Sequence, residues 1–147
     1  METIFSLSNL LVMPFWLAII FLPRWRWTVR IMASLWPIVP VALLYTVLVV
    51  PNLPVLFPML ANPELAAIAA LLSTPQGASV AWAHFLAFDF FVGRWVYLDG
   101  RRVGLSAWIV SPILFFVLMI GPAGFLFYVL ARLLKTQAMA LVPGKSA

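Results

Sequence analysis

The sequence contains no cysteine, one histidine and only four acidic residues among its 147 positions. Without cysteine the chain forms no disulfide, no iron–sulfur cluster and no thiolate metal site, and it has no cysteine nucleophile. With His84 as its single histidine, one chain cannot build a metal site from several imidazoles. We therefore expect no metal site within one chain.

Charge is scarce as well, because 9% of the residues are charged and 65% are hydrophobic. The mean hydropathy of +1.12 is too high for a soluble domain, which cannot hide so much apolar surface. The net charge is +5, but no basic run is interleaved with polar residues, so we expect no nucleic-acid partner. The composition predicts an integral membrane protein.

Four apolar segments are long enough to cross a bilayer, which takes about 20 residues. They cover approximately residues 5–22, 31–50, 78–98 and 105–134. Proline and glycine within the last segment should kink it or separate an interfacial piece. The predicted fold is all-α: a polytopic membrane protein with four transmembrane helices, in a single domain over residues 1–147.

The connection between the second and third segments combines two patterns. Its first part has prolines at positions 51, 54, 58 and 63, which argues against regular helix. The following stretch, PELAAIAALLS, predicts a short helix with Pro63 at its first position and Asn62 as its cap. At about eleven residues it is too short to span, so we expect it to lie at the interface or to be re-entrant.

Basic residues flanking the spans predict the orientation. The first and third connections hold five of them, whereas the opposite side holds Arg132, Lys135 and Lys145. This excess favours a cytoplasmic position for the first and third connections. The N-terminal apolar run ends at an arginine cluster rather than at a cleavage site, so we expect it to be a retained span.

Asp89 is the most informative residue, because it falls near the middle of the third span. An acid there costs at least about 2.5 to 3.5 kcal/mol on insertion scales, so it needs a partner, a water-filled cavity or a function. The structural alternative is a polar lock between helices. Arg94 can instead snorkel to the nearby membrane surface, and His84 can be a hydrogen-bonded packing residue.

Helical geometry separates these three groups. At about 100° per residue, Asp89 lies about 140° around the helix from His84, and Arg94 lies about another 140° farther. His84 and Arg94 are also about 15 Å apart along the axis. The three form no compact triad, but they could contact a long ligand lying along the helix. His84 shares a face with Phe88, and the surrounding phenylalanines could line a slot for a flat conjugated molecule.

Three stretches resemble a known family. FSLSNLLVMPFWLAIIFLPRW, LLSTPQGASVAWAHFLAFDFFVGRWVYLD and GPAGFLFYVLAR are similar to small membrane proteins related to plant neoxanthin synthase, which were identified through abscisic-acid deficiency. The most specific part is the run His-Phe-Leu-Ala-Phe-Asp-x-x-x-Gly-Arg-Trp. The short N-terminus without a plastid presequence implies a bacterial member, a multi-pass protein of the bacterial inner membrane.

The resemblance implies carotenoid chemistry. The plant representative is associated with a redox-neutral isomerisation in which an epoxide opens, a chain proton leaves and an allene with a tertiary hydroxyl forms. Such a reaction needs an acid and a base but no cofactor. The resemblance suggests Asp89 as the base and His84 or Arg94 as the acid or oxygen stabiliser. Expected substrate-binding residues are Asn9, Trp82, Phe85, Phe88, Gly93 and Trp95.

Other functions stay open at this stage. The chain could bind a carotenoid or retinoid without turnover, or cleave a carotenoid to an apocarotenal, although cleavage normally uses an iron held by several histidines. A proton or ion pathway through Asp89 and a purely structural membrane subunit are further alternatives. The expected partners are a lipophilic polyene, membrane lipid and a second copy of the chain, because a four-helix protomer offers little wall for a long ligand.

Overall fold

The structure, a computed structural model, describes residues 1–138, and over that range it contains helices and turns but no strand. The all-α prediction is confirmed. Lys145, one of the charges used to predict orientation, lies outside the described residues. The eight α-helices are α1 (Glu2–Phe21), α2 (Arg26–Ala33), α3 (Val39–Val49), α4 (Leu53–Ala61), α5 (Leu65–Leu72), α6 (Pro75–Arg102), α7 (Ala107–Ile120) and α8 (Pro122–Thr136).

The number of spans is two or three rather than clearly four. Within the described residues, α1 and the stretch Val39–Ala61 are each long and apolar enough to cross a membrane. A third candidate is the pair α5 and α6, which pass the same test together and are bent by 95° at the break between them. These apolar helices are compatible with the predicted membrane location.

The second span begins and ends later than predicted. It was expected over residues 31–50, but α3 starts at Val39, and a 3₁₀ turn, Val50–Asn52, joins it to α4. The expectation that the proline-rich stretch after position 50 is not helical is wrong. Proline occupies the first turn of α3, of the 3₁₀ turn and of α4, where its missing N–H has no helical partner to lose. Of the prolines in this stretch, Pro58 lies in the interior of α4.

The short helix predicted in the connection is present as α5, but its start differs. The helix begins at Leu65 with Glu64 in the cap position, and no side chain caps it. Asn62, the expected cap, instead ends α4. The extended backbone of Glu64, at φ −111° and ψ 130°, separates the two helices.

The segment predicted as a fourth span, residues 105–134, folds back on itself. The rings of Phe116 and Phe127 are 5.4 Å apart between centroids, whereas eleven residues of straight helix would separate them by about 16 Å. Gly121, at φ 34° and ψ −97°, makes the reversal between α7 and α8. With 14 and 15 residues, each arm is about 22 Å long, shorter than the roughly 30 Å hydrocarbon core.

The residues group into two compact units. Unit 1 consists of residues 1–15 and 34–91, and unit 2, within the described residues, of residues 16–33 and 92–138. Helices α1 and α6 each contribute residues to both. The prediction of a single domain stays a prediction.

Each unit has its own buried residues, and much of the remaining surface is apolar. Buried side chains include Val12, Leu86 and Phe90 in unit 1, and Trp16, Tyr97 and Tyr128 in unit 2. Leu65 and Trp108 are 84% and 85% exposed. Surfaces of this kind are costly in water but not against lipid chains, which agrees with the composition.

Candidate functional site

An apolar cavity of about 450 Å³ lies in unit 1 among α3, α4, α5 and the first half of α6. Most of its lining consists of leucine, valine and alanine side chains together with Phe85. Polar side chains are few: Tyr45, Asn52, Thr74, Gln76 and His84. A large apolar cavity with a small number of polar groups is the usual form of a site for a lipophilic ligand.

Two of the polar side chains already make hydrogen bonds to backbone groups near them in the sequence. Asn52 donates from Nδ2 to the Leu48 carbonyl oxygen at 2.9 Å. The Thr74 hydroxyl donates to the Leu71 carbonyl oxygen at 2.8 Å and accepts from the Gly77 backbone N–H at 3.0 Å. Both side chains therefore hold the cavity walls in place.

The other three polar residues of the lining are Tyr45, Gln76 and His84. None of them makes a side-chain hydrogen bond or ion pair with any residue in the described part of the chain. Their donors and acceptors are available to a molecule in the cavity. Neither Tyr45 nor Gln76 was among the site residues predicted from the sequence.

His84 sits among aromatic rings. Its ring centroid is 5.2 Å from that of Tyr45 and 4.7 Å from that of Phe88, one turn farther along α6. Phe85 approaches edge-on at 6.2 Å. The predicted shared face of His84 and Phe88 is confirmed. A neutral imidazole can accept a proton at one nitrogen and donate one from the other, and the phenol beside it can donate a hydrogen bond.

Asp89 lies on the same helix but does not line this cavity. Its side chain is half-buried, and it has no hydrogen bond or ion pair with any residue between 1 and 138. The structure thus brings His84 together with Tyr45 and Phe88, and it leaves Asp89 outside that group. The role of Asp89 as a base stays a prediction.

Arg94 and Gly93 contribute contacts in unit 2. One guanidinium nitrogen of Arg94 donates to the carbonyl oxygen of Ala33, the last residue of α2, at 3.4 Å. Gly93 lets the Trp16 indole pack directly on α6, because a Cβ at this position would overlap the indole ring. Gly93 was predicted to bind substrate, and in the structure it is packed against this aromatic ring.

Asn9 and Trp82, both predicted to bind substrate, contact each other in unit 1. The indole Nε1 of Trp82 donates to Asn9 Oδ1 at 3.3 Å, and its ring stacks on Phe5 at 5.4 Å. Asn9 also donates to the Phe5 carbonyl oxygen. This group joins α1 to α6. Among the other predicted binding residues, Trp95 packs in unit 2 against Phe125, with ring centroids 5.7 Å apart.

A buried polar cluster in unit 2 was missed. Asp99 Oδ2 accepts from Arg132 Nε at 2.7 Å and from the Tyr128 hydroxyl at 2.6 Å. The exposed fractions of the arginine and aspartate side chains are 8% and 6%. Asp99 was not among the predicted site residues, and Arg132 was considered only as a charge that sets orientation. One signal was available: Tyr128 and Arg132 are four residues apart, so they share a helix face.

Metal-ligating side chains do not cluster in this structure. No group of three or more histidine, aspartate or glutamate side chains comes together within residues 1–138, and the whole sequence has no cysteine. Iron in carotenoid cleavage would need such a group. The chemistry available in the cavity is proton transfer and hydrogen bonding.

Comparison with known proteins gives one match. The sequence profile of a family described as ABA DEFICIENT 4-like matches residues 3–128, which is most of the chain. No curated protein and no solved structure matches it.

Proposed function

The chain belongs to the ABA DEFICIENT 4-like family, and on that premise we propose that it is a membrane enzyme that isomerises a carotenoid without a cofactor. Membership of the family indicates a function related to carotenoids and xanthophylls. The finer assignment, an acid–base isomerase, is supported by the cavity around His84.

The cavity's chemistry suits the end group of an oxygenated polyene. Such an end group is a hydrocarbon ring with one or two oxygens, and the cavity has apolar walls with the Tyr45 hydroxyl and the His84 imidazole available for hydrogen bonds. A carotenoid is about as long as the roughly 30 Å hydrocarbon core, so the cavity would hold one end only. The rest of the polyene would lie against exposed apolar helix faces.

The proposed reaction moves one proton from carbon to oxygen. A C–H bond of the chain carbon next to the ring breaks, its electron pair forms the new double bond of the allene, and the epoxide C–O bond breaks toward oxygen. The oxygen takes up a proton and becomes a hydroxyl. Reactant and product have the same atoms and the same oxidation level, so neither an oxidant nor a reductant is needed.

His84 is the proposed proton carrier at the epoxide. Its imidazole can take the proton from the chain carbon and return it to the oxygen, because both atoms belong to one end group. The Tyr45 hydroxyl, whose ring lies against His84, would orient the oxygen. Asp89 is the other candidate base, as the resemblance suggests, and it would act on the chain outside the cavity, about 7.5 Å farther along α6.

The test is pigment analysis in bacteria engineered to make a defined epoxy-carotenoid. Cells expressing this protein should accumulate a pigment of unchanged mass and altered retention. His84→Gln should lower the rate at which this pigment forms by at least about a hundredfold, the lower end of the range for loss of a general acid–base group. Tyr45→Phe should lower it less, because it removes one hydrogen bond. Asp89→Asn decides between the two candidate bases. It should leave conversion at the native level if His84 is the base, and it should lower conversion strongly if Asp89 is.

Thr46→Val is the matched control, because Thr46 is next to Tyr45 on α3 but does not line the cavity. Its hydroxyl only donates to the Ala42 carbonyl oxygen, so conversion should stay at the native level. Shorter fragments would contradict isomerisation and indicate cleavage. Pigment that co-purifies unchanged would mean binding without turnover. Native conversion by His84→Gln, with protein at native abundance, would refute the proposed site.

A further inference from the structure

A second cavity, of about 220 Å³, lies in unit 2 and differs in character from the first. Its lining comes from the turn after α1 (Pro23 and Arg24), the last turns of α6 (Tyr97 and Arg101) and the start of α7. It is far larger than the roughly 10 to 15 Å³ of probe volume that one water needs. Two arginines line it, and no acidic side chain does.

The charge of unit 2 is strongly unbalanced. Its described residues include eight basic side chains and one acid, Asp99, which is already paired with Arg132. The two arginines that line the small cavity therefore have no carboxylate partner among the described residues of the unit. Concentrated positive charge of this kind attracts anions from solution or from the membrane surface.

The two arginines that line the cavity retain donors for a ligand. Arg101 donates from Nη1 to the Pro23 carbonyl oxygen at 3.3 Å and lies 5.7 Å from the centroid of the Tyr97 ring. The same carbonyl oxygen accepts from the Tyr97 hydroxyl at 2.7 Å. The guanidinium has five N–H donors, and its contacts with the Pro23 carbonyl oxygen and the Tyr97 side chain leave donors for a ligand. Arg24 makes no hydrogen bond or ion pair with any residue of the described range.

The start of α7 adds donors to the same cavity. Ser106 and Ala107 line it, and Ser106 is the N-cap of this 14-residue helix. The backbone N–H groups of Trp108, Ile109 and Val110 already donate to Ser106. The donors that remain for a ligand are the Ala107 N–H and the Ser106 hydroxyl, which lie in the partial positive charge at the start of the helix. They add to the attraction that the two arginines have for an anion.

The position along the helices places this cavity near a membrane surface. Its walls come from the residues just after α1 and from the last turns of α6, and both helices belong to candidate spans. The ends of spanning helices lie at the level of lipid headgroups.

We propose that this cavity binds a phosphate group, supplied by the headgroup of an anionic lipid, with Arg24 and Arg101 as its ligands. Arginine suits phosphate because its planar guanidinium presents two parallel N–H donors to two oxygens. The site is separate from the carotenoid cavity, and the proposal does not depend on the function proposed for that cavity.

The experiment uses delipidated full-length protein in a neutral detergent, titrated with phosphatidylglycerol or phosphatidylcholine and followed by native mass spectrometry. Phosphatidylglycerol should bind at least about tenfold more tightly, and Arg24→Gln should remove about tenfold of its affinity, as expected for a lost charge-assisted hydrogen bond. Arg101→Lys keeps the positive charge but loses the two parallel N–H donors of the guanidinium, so it should weaken binding by a smaller factor. Circular dichroism checks that each variant is folded.

Arg26→Gln is the matched control. It removes the same charge two residues away, but Arg26 does not line the cavity and lies 5.5 Å from the centroid of the Trp27 ring. Equal losses in Arg24→Gln and Arg26→Gln would mean diffuse attraction and would overturn the proposal, as would equal affinity for the two lipids. Arg24-dependent binding of inorganic phosphate, without any for phosphatidylglycerol, would keep the phosphate site and refute the lipid source.

Discussion

Substituting Arg132 by methionine removes the cation that faces the buried Asp99 carboxylate. In the native protein both the Arg132 and Tyr128 donors contact the same oxygen, Oδ2, at 2.7 and 2.6 Å. Arg132→Met leaves one donor, the Tyr128 hydroxyl, for a carboxylate that is 6% exposed. Breaking a buried pair by removing one partner costs about 3 to 5 kcal/mol, because a buried charge is left uncompensated.

Three further variants separate the contributions in this cluster. Arg132→Lys keeps a positive charge and should cost less than Arg132→Met. Tyr128→Phe removes one hydrogen bond to a charged group, which is worth about 1.5 to 3 kcal/mol. The triple variant Asp99→Leu, Tyr128→Phe, Arg132→Met removes every member together, so no polar side chain of the cluster is left without a partner. Its free energy of unfolding should fall no more than about 1 kcal/mol below the native value.

The free energy of unfolding can be measured by reversible denaturation in mixed micelles, with fluorescence from the seven tryptophans as the signal. A loss below about 1 kcal/mol for Arg132→Met would be the value of an exposed ion pair and would refute the reasoning. A triple variant as unstable as Arg132→Met would also refute it, because the cost would then come from lost packing rather than from an unpaired charge.

Two more predictions concern packing between helices. Alanine at Gly93 should cost about 1 to 3 kcal/mol by overlapping the Trp16 ring, and Trp16→Leu in the same chain should recover part of that loss. Alanine at Gly124 should cost more, because its Cβ would overlap the backbone of Val117, which cannot rotate away as a side chain can. Unfolding in micelles checks this order, and equal losses would contradict it. Trp82→Phe keeps the stack on Phe5 but loses the hydrogen bond to Asn9, so it should cost only about 0.6 kcal/mol; a loss above 2 kcal/mol would show a larger role for this bond.

The elements that could be predicted are those set by neighbouring residues. The apolar run of α1 and the long helix around Asp89 follow from hydropathy, and α5 follows from a helix-forming stretch between proline-rich turns. The second span was placed too early, because proline was taken as a terminator of helix. In the structure Pro40 and Pro54 lie in first turns, where proline starts a helix.

Hydropathy alone could not distinguish the hairpin of α7 and α8 from one long spanning helix. Both arms are apolar, and a run of this length fits a single kinked helix equally well. The reversal depends on the positive φ of Gly121 and on the close backbone approach at Gly124. Glycine allows both but requires neither, so the pattern predicted a kink where the chain turns back.

The candidate site was predictable in part. His84 and its face with Phe88 follow from helical spacing, and the absence of a compact triad follows from the same arithmetic. Tyr45 could not be assigned as the neighbour of His84, because the two residues are 39 positions apart in the sequence and no local pattern records which helix faces meet. The pairing of Asp99 with Arg132 could not be predicted for the same reason, because the two residues lie on helices whose contact no local pattern records.

The sequence by itself determined the apolar character that predicts a membrane location, the helical class, and the residue types from which any chemistry must come. Composition and hydropathy decide those properties, since they depend on residue types and short-range spacing. Tertiary structure alone decided which polar groups are satisfied and which remain available. Asp99 finds its partners on α8, whereas Tyr45 and His84 come together at the wall of an apolar cavity. Such pairings depend on long-range packing, in which one rotation of a helix would exchange one set of neighbours for another.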